Sequence, residues 1–227
     1  SLPIAHRQAV EIAKALTRDA RVLILDEPTA TLPRHDVKQL FALLNQLKKL
    51  GLAIIYISHH FDEMYTICDR ISVFRDGRRV ALYEGDENQH DAILQSMLGG
   101  LSPERSAKLQ VGPGDLPRLG TGRTGGEVAL SVSGLRDGHD LHGVDLALHK
   151  GEVLGIAGLS GNGQSQLAAA LFGAEKSQHD EFLVNGRPRR RQDPAHSIAL
   201  GIGLLPEERK TQGLVLTMSI TRNITMA

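Results

Sequence analysis

Apolar positions along the first hundred residues alternate between two spacings. In IAHRQAVEIAKAL, Ile4, Val10, Ala13 and Leu16 recur at a helical period, and in DVKQLFALLNQLKKLG, Val37, Leu40, Phe41, Leu44 and Leu47 share one helix face before Gly51 stops it. Between and after these helices lie RVLILDE and LAIIYIS, short β-branched runs with no polar alternation. Such runs suit parallel strands buried on both faces. RISVFRDGRRVALY turns at Asp76-Gly77 and reads as a β-hairpin. The pattern predicts an α/β fold built on a parallel sheet.

From about residue 99 to 127 the periodicity disappears. GGLSPERSAKLQVGPGDLPRLGTGRTGGE is rich in Gly, Pro and Ser and reads as a linker. Beyond it, VALSVSGL and GVDLALHKGEVLGIAGL are strands, QSQLAAALFG is a helix, EFLVNGRPRRR is a strand with an Asn185-Gly186 turn, and IALGIGLLPEERK is a short helix, a strand and a polar exit. The expected organisation is therefore two units, 1–98 and 128–227, joined by a 99–127 linker and sharing no sheet.

Composition narrows the function without naming it. The 227 residues carry 26 basic and 26 acidic side chains, so no global field recruits nucleic acid or an acidic membrane. The single cysteine, Cys68, excludes an intrachain disulfide framework and fits a reducing compartment. No apolar run approaches the ~20 residues that cross a bilayer. The basic run Arg187–Arg191 lacks interleaved aromatics and reads as a solvated loop rather than a nucleic-acid patch.

Two motifs carry chemistry. RVLILDEPT delivers Asp26 and Glu27 to the carboxyl end of a buried strand, the end at which α/β sheets place ligands. Asp26 there suits a Mg2+ ion beside nucleotide phosphates, and Glu27 suits an attacking water. His59 occupies the matching end of LAIIYIS and can donate to a phosphate or orient the water; His60 reads as a surface residue, and the remaining histidines show no metal-ligand spacing. The second motif is GLSGNGQSQL, Gly158 to Leu167, lying after a strand and before a helix. Its backbone N–H groups and the helix terminus suit a phosphate. Ser165 holds the position of a Mg2+-coordinating hydroxyl, while Gln164 stands where a phosphate loop has lysine and brings no charge.

Together these segments resemble the ATP-binding-cassette ATPases. LILDEPTATL is similar to the Walker B strand and D-loop, YISHHFDE to the switch-histidine segment, and LPIAHRQAVEIAKAL to the signature segment and its helix. LLPEERKTQGLVLTMSITRNI resembles the run that replaces the Q-loop in the second cassette of tandem sugar importers of the ribose, galactose and autoinducer-2 type, with Glu207 at the Q-loop position. The resemblance implies a fragment: the C-terminal part of one cassette with its P-loop NTPase-type parallel sheet, then the β-rich phosphate-loop part of a second cassette in the same parent chain. It implies ATP and Mg2+ as cofactors, with Asp26 and Ser165 at the metal and Glu27 and His59 as catalytic groups. Gly158, Ser160, Gly161, Asn162, Gly163, Gln164, Ser165, Gln166 and Glu207 would bind the nucleotide, and so would the signature residues Leu2, Pro3, Ile4, Ala5 and His6.

In that family each ATP lies between one cassette's phosphate loop and the other's signature. Residues 158–165 and 2–6 would then face one nucleotide, while Asp26, Glu27 and His59 would serve another whose loop is missing. On that expectation the chain completes neither site and is inactive alone, though its parent is an ATPase. The implied setting is the cytoplasmic face of the membrane, with permease subunits and a periplasmic binding protein as partners and no nucleic acid. A nucleoside importer, a soluble cassette protein and a degenerate regulatory subunit stay open as alternatives. Pro3 in place of the signature serine, Pro33 in place of the D-loop aspartate, and Gln164 all favour the last of these.

Overall fold

Five fully buried residues at β1 (Val22–Asp26) and five at β2 (Ala53–Ile57) make the centre of a six-stranded sheet. The computed structural model describes residues 10, 12–85, 89–99, 126–159, 161–207, 215 and 217–225. Around the two central strands run α1 (Arg34–Lys49), α2 (Phe61–Ile67), the hairpin β3 (Arg70–Arg75) and β4 (Arg78–Glu84), and α3 (His90–Leu98). The second half contributes β5 (Val128–Arg136), β6 (His142–His149), β7 (Val153–Gly158), α4 (Gln164–Phe172), β8 (Glu181–Val184), β9 (Arg187–Pro188), α5 (Pro194–Ala199), β10 (Ile202–Leu205) and α6 (Ile220–Thr225).

The expectation of two units without a common sheet is wrong. The strand order is β10-β1-β2-β7-β3-β4, so β7 of the second half inserts among the four strands of the first and β10 adds at their edge. β7 lies parallel between β2 and β3, with Ile57 opposite Ile156 and Phe74 opposite Gly158. β10 lies parallel to β1, pairing Leu25 with Leu205. The reason is backbone satisfaction. β2 and β7 are buried throughout, and every buried N–H and C=O on both edges of such a strand needs a partner. Each half supplies the edges that the other lacks. Of the 99–127 linker, residues 100–125 lie outside the described residues.

Side-chain alternation divides the core into two layers. Ile24, Ile55 and Ile156 face one side, against α4 through Leu167 and Leu171 and against a four-stranded antiparallel sheet, β6-β5-β8-β9, through Leu130, Val132 and Leu146. Leu23, Leu25, Ile54 and Tyr56 face the other, where Leu40, Phe41, Leu44 and Leu47 of α1 meet Met64, Ile67, Ile93 and Met97. Four of the five positions expected on the α1 stripe are thus buried; Val37 packs at the margin. Both predicted turns form. Asp76-Gly77 has φ 52° and 66°, and Asn185-Gly186 has φ 48° and 72°, the left-handed pairs that a two-residue hairpin requires.

The basic run departs from expectation. Arg189 is buried, stacks 4.7 Å from the Phe182 ring centroid and donates to the Ala170 and Leu171 carbonyls at the end of α4. It closes a helix C-terminus, where a cation opposes the negative end of the dipole.

Candidate functional site

β1 ends at Asp26, which is 4% exposed and has one carboxylate oxygen, Oδ1, without a hydrogen-bond partner. Burial pushes its pKa up from 3.8 to about 6, and the charges of Glu207 and Glu27 push the same way. The nearby Ser165 hydroxyl opposes them. The strand-end acid of the first half thus lies beside the first turn of α4 in the second. Glu207 comes into range because it follows β10, the neighbour of β1.

The next residue, Glu27, has φ 44°, a conformation that residues other than glycine rarely adopt. Its N–H donates to the Ile57 carbonyl at 3.1 Å, holding the turn against the end of β2. Glu27 Oε1 lies 2.8 Å from His59 Nδ1, and Glu27 Oε2 is buried without a partner. With Nδ1–H donating to Glu27, a neutral His59 presents a lone pair at Nε2. Only the imidazolium then donates from Nε2 to a phosphate.

Below these loops sits a carboxylate that sequence reasoning missed. Glu63 Oε2 accepts from Tyr56 Oη and Thr29 Oγ1, each at 2.7 Å, and from Ser58 Oγ at 3.4 Å. It ties the segment after Glu27 to the segment carrying His59. Glu63 falls three residues after His60 in an ordinary amphipathic turn, so no spacing marks it out.

The glycine loop follows β7. Gly161 and Gly163 have φ 86° and 94°, and α4 starts immediately afterwards. Asn162 accepts at its carbonyl from Gly77 N at 3.2 Å, so the β3–β4 turn of the first half braces the loop. The Gln164 amide donates to the Leu159 carbonyl at 3.1 Å; it folds back on its own loop instead of reaching outward as a lysine would. Gln166 is half-buried one residue past Ser165 on α4. Leu2, Pro3, Ile4, Ala5, His6 and Ser160 lie outside the described residues.

The acids and the loop, expected to serve different nucleotides, lie together in this chain. Asp26, Glu27, His59, Glu207 and Ser165 converge at the carboxyl ends of β1, β2, β7 and β10, because the inserted β7 places the loop beside the acids. His60 is exposed, as expected; Glu27, His59 and His60 each offer a potential ligand atom, all within 4.8 Å of one another. The donor set at Asp26 and Ser165, an orphaned carboxylate oxygen and a hydroxyl, fits a hard cation such as Mg2+.

A parallel sheet with a glycine loop at the end of one strand and acids at the end of another, one strand between them, defines the P-loop NTPase class. Residues 141–223 match the family model described as ABC transporter. Over its whole length the chain is similar to ribose import ATP-binding proteins. It is 42% identical over 226 residues to the Ribose import ATP-binding protein RbsA 2 of Burkholderia ambifaria, covering 100% of this chain and 43% of that protein. The corresponding protein of Burkholderia mallei is 45% identical over 223 residues, covering 98% and 42%, and that of Chromobacterium violaceum 41% over 226 residues, covering 100% and 43%. The chain thus spans less than half the length of the curated relatives it matches. No solved structure matches it. Among the described residues, no helix is long and apolar enough to cross a membrane.

Proposed function

We propose that this chain is the nucleotide-binding portion of the energy-coupling ATPase of a sugar importer, and that it binds Mg2+-ATP at the site between β1 and α4. The observation that carries the reading is the closeness of the Ser165 hydroxyl to the Asp26 carboxylate, which sets the phosphate loop beside the strand-end acid. The relatives named for ribose import support a sugar as cargo. On this reading the parent works at the cytoplasmic face of the membrane with permease subunits and an extracellular or periplasmic binding protein.

Each residue's role follows from its position. Backbone N–H groups of Gly161 to Gly163 and the first turn of α4 hold the phosphates, with no side-chain charge from Gln164. Asp26 and Ser165 hold Mg2+, which supplies charge neutralisation at the phosphate oxygens. Glu27, held in its left-handed turn, accepts a proton from the attacking water, and His59 orients that water through Glu27 and donates to the γ-phosphate when charged. Glu63 fixes both segments.

Gly161→Val tests the loop. A side chain there meets open space and is strained only by the left-handed φ of 86°, whereas at Gly163, with φ 94°, it would also crowd the Asp140 carbonyl at 3.1 Å. Titration with a fluorescent ATP analogue should show binding to the parent chain and its loss in Gly161→Val, with the circular dichroism spectrum unchanged. Because the acids and loop share one site, phosphate release also becomes a fair measurement, and any release should need Mg2+ and vanish in Glu27→Gln. Equal nucleotide affinity in the parent and in Gly161→Val sinks the reading.

A further inference from the structure

We propose that Glu27, His59 and His60 form a second cation site, selective for a borderline divalent ion of the Zn2+ type and distinct from the oxygen donors Asp26 and Ser165. The three residues offer one carboxylate oxygen and two imidazole nitrogens, all within 4.8 Å of one another. Tetrahedral zinc at ~2.0–2.1 Å from each ligand sets donor atoms roughly 3.3–3.4 Å apart, so the two exposed rings would have to close in by about 1.5 Å at most. Two imidazoles with a carboxylate are the donor set of zinc and its neighbours, whereas Mg2+ takes oxygen.

Three features of the fold prepare this cluster. Among the described residues Glu27 Oε2 is buried and has no partner, so a cation there satisfies an atom that otherwise bears an uncompensated desolvation cost. His60 sits at the N-cap of α2, but its side chain does not cap the helix. Its backbone N–H is instead fixed by Ser58 Oγ at 3.0 Å, and its ring lies 4.1 Å from that of His59. Both imidazoles are exposed, so each is free to turn the short distance that coordination needs, and solvent can reach the fourth position. Glu27 itself is less mobile, since its turn is held by the Ile57 carbonyl. The site therefore has one rigid ligand and two adjustable ones.

Occupation would engage Glu27 and His59 together, the two groups assigned to water and phosphate above. The site does not depend on that assignment, and its test uses no nucleotide. Zn2+ is titrated calorimetrically into the chelator-treated chain of 227 residues. One strong equivalent is expected, with micromolar affinity or better. His60→Ala and Glu27→Gln should each weaken it about tenfold or more, while the exposed His139→Ala should not. Circular dichroism checks that the variants fold. Substituting Co2+ gives a second reading: the visible bands of nitrogen and oxygen ligands, without a thiolate charge-transfer band, because Cys68 is buried away from the cluster. Absence of a strong equivalent, undiminished affinity in His60→Ala, or a thiolate band overturns the proposal. None of these results bears on nucleotide binding at the glycine loop.

Discussion

Asp26 shows how burial and charge oppose each other at a single residue. Its carboxyl titrates near 6 against an ordinary 3.8, because burial disfavours the anion and Glu207 and Glu27 add like charge. A raised pKa in the folded state means that the folded chain binds the proton more tightly. The stabilisation is fully present below about pH 4 and is lost as pH rises through about 6. Asp26→Asn removes the titration and keeps a hydrogen-bond acceptor for Ser165. In the absence of Mg2+ it should raise stability at pH 7.5 by on the order of 2 kcal/mol, and the gain should shrink toward zero by pH 4.5. Urea unfolding at the two pH values measures this; an equal gain at both would show that repacking, not charge, is responsible. RVLILDE announces an acid at a strand end. That one of its oxygens would lie buried and unpartnered became visible only with β10 and α4 in place.

Among the elements, α5 has the clearest local cause. Asp193 sits at its N-cap, its Oδ1 accepting from His196 N at 2.8 Å, and Pro194 occupies the first turn. The same carboxylate offsets the buried Arg189 guanidinium, whose pKa burial lowers. Asp193→Ala should cost about 1 kcal/mol or more in urea unfolding, while Asp193→Asn keeps the cap and should recover most of the loss. If Asn behaves like Ala, the charge opposite Arg189 matters more than the cap. Elements of this kind were legible in advance: the α1 stripe, both hairpin turns, and the strand–loop–helix order of β7 and α4. Each rests on spacing or turn chemistry within a few residues. Arg189 was not legible, because its burial depends on the Phe182 ring and on the end of α4, 18 residues away.

At the scale of the whole molecule, the halves are held by more than strand pairing. Arg70 of β3 donates to Glu152 Oε1 at 2.5 Å, and Glu152 Oε2 accepts from the His149 backbone at 2.7 Å and from its ring at 2.8 Å. Both charged groups are buried, at 4% and 3% exposure. Asp69 adds a bond from Val153 N at 2.8 Å. Removing one member of a buried ion pair leaves the other uncompensated, so Glu152→Ala should cost about 3–5 kcal/mol in chemical denaturation. Protease cleavage within the Gly- and Pro-rich residues 100–125 should leave the parent's two pieces eluting together under native conditions. Their separation would show that the common sheet does not hold in solution.

The sequence by itself determined the kinds of element, the two motifs and the class to which they point, because helical period, buried β-branched runs and glycine spacing act over short range. It also placed Asp26, Glu27 and His59 at strand ends and Ser165 at a helix start. Which strand lies beside which was decided only in three dimensions. β2, β3 and β7 are all apolar runs, and their composition does not encode which one fills the gap between the other two. That choice depends on pairing every buried backbone group at both edges, a condition satisfied across residues about a hundred positions apart. It brings Ser165 onto Asp26 and turns two apparent half-sites into one.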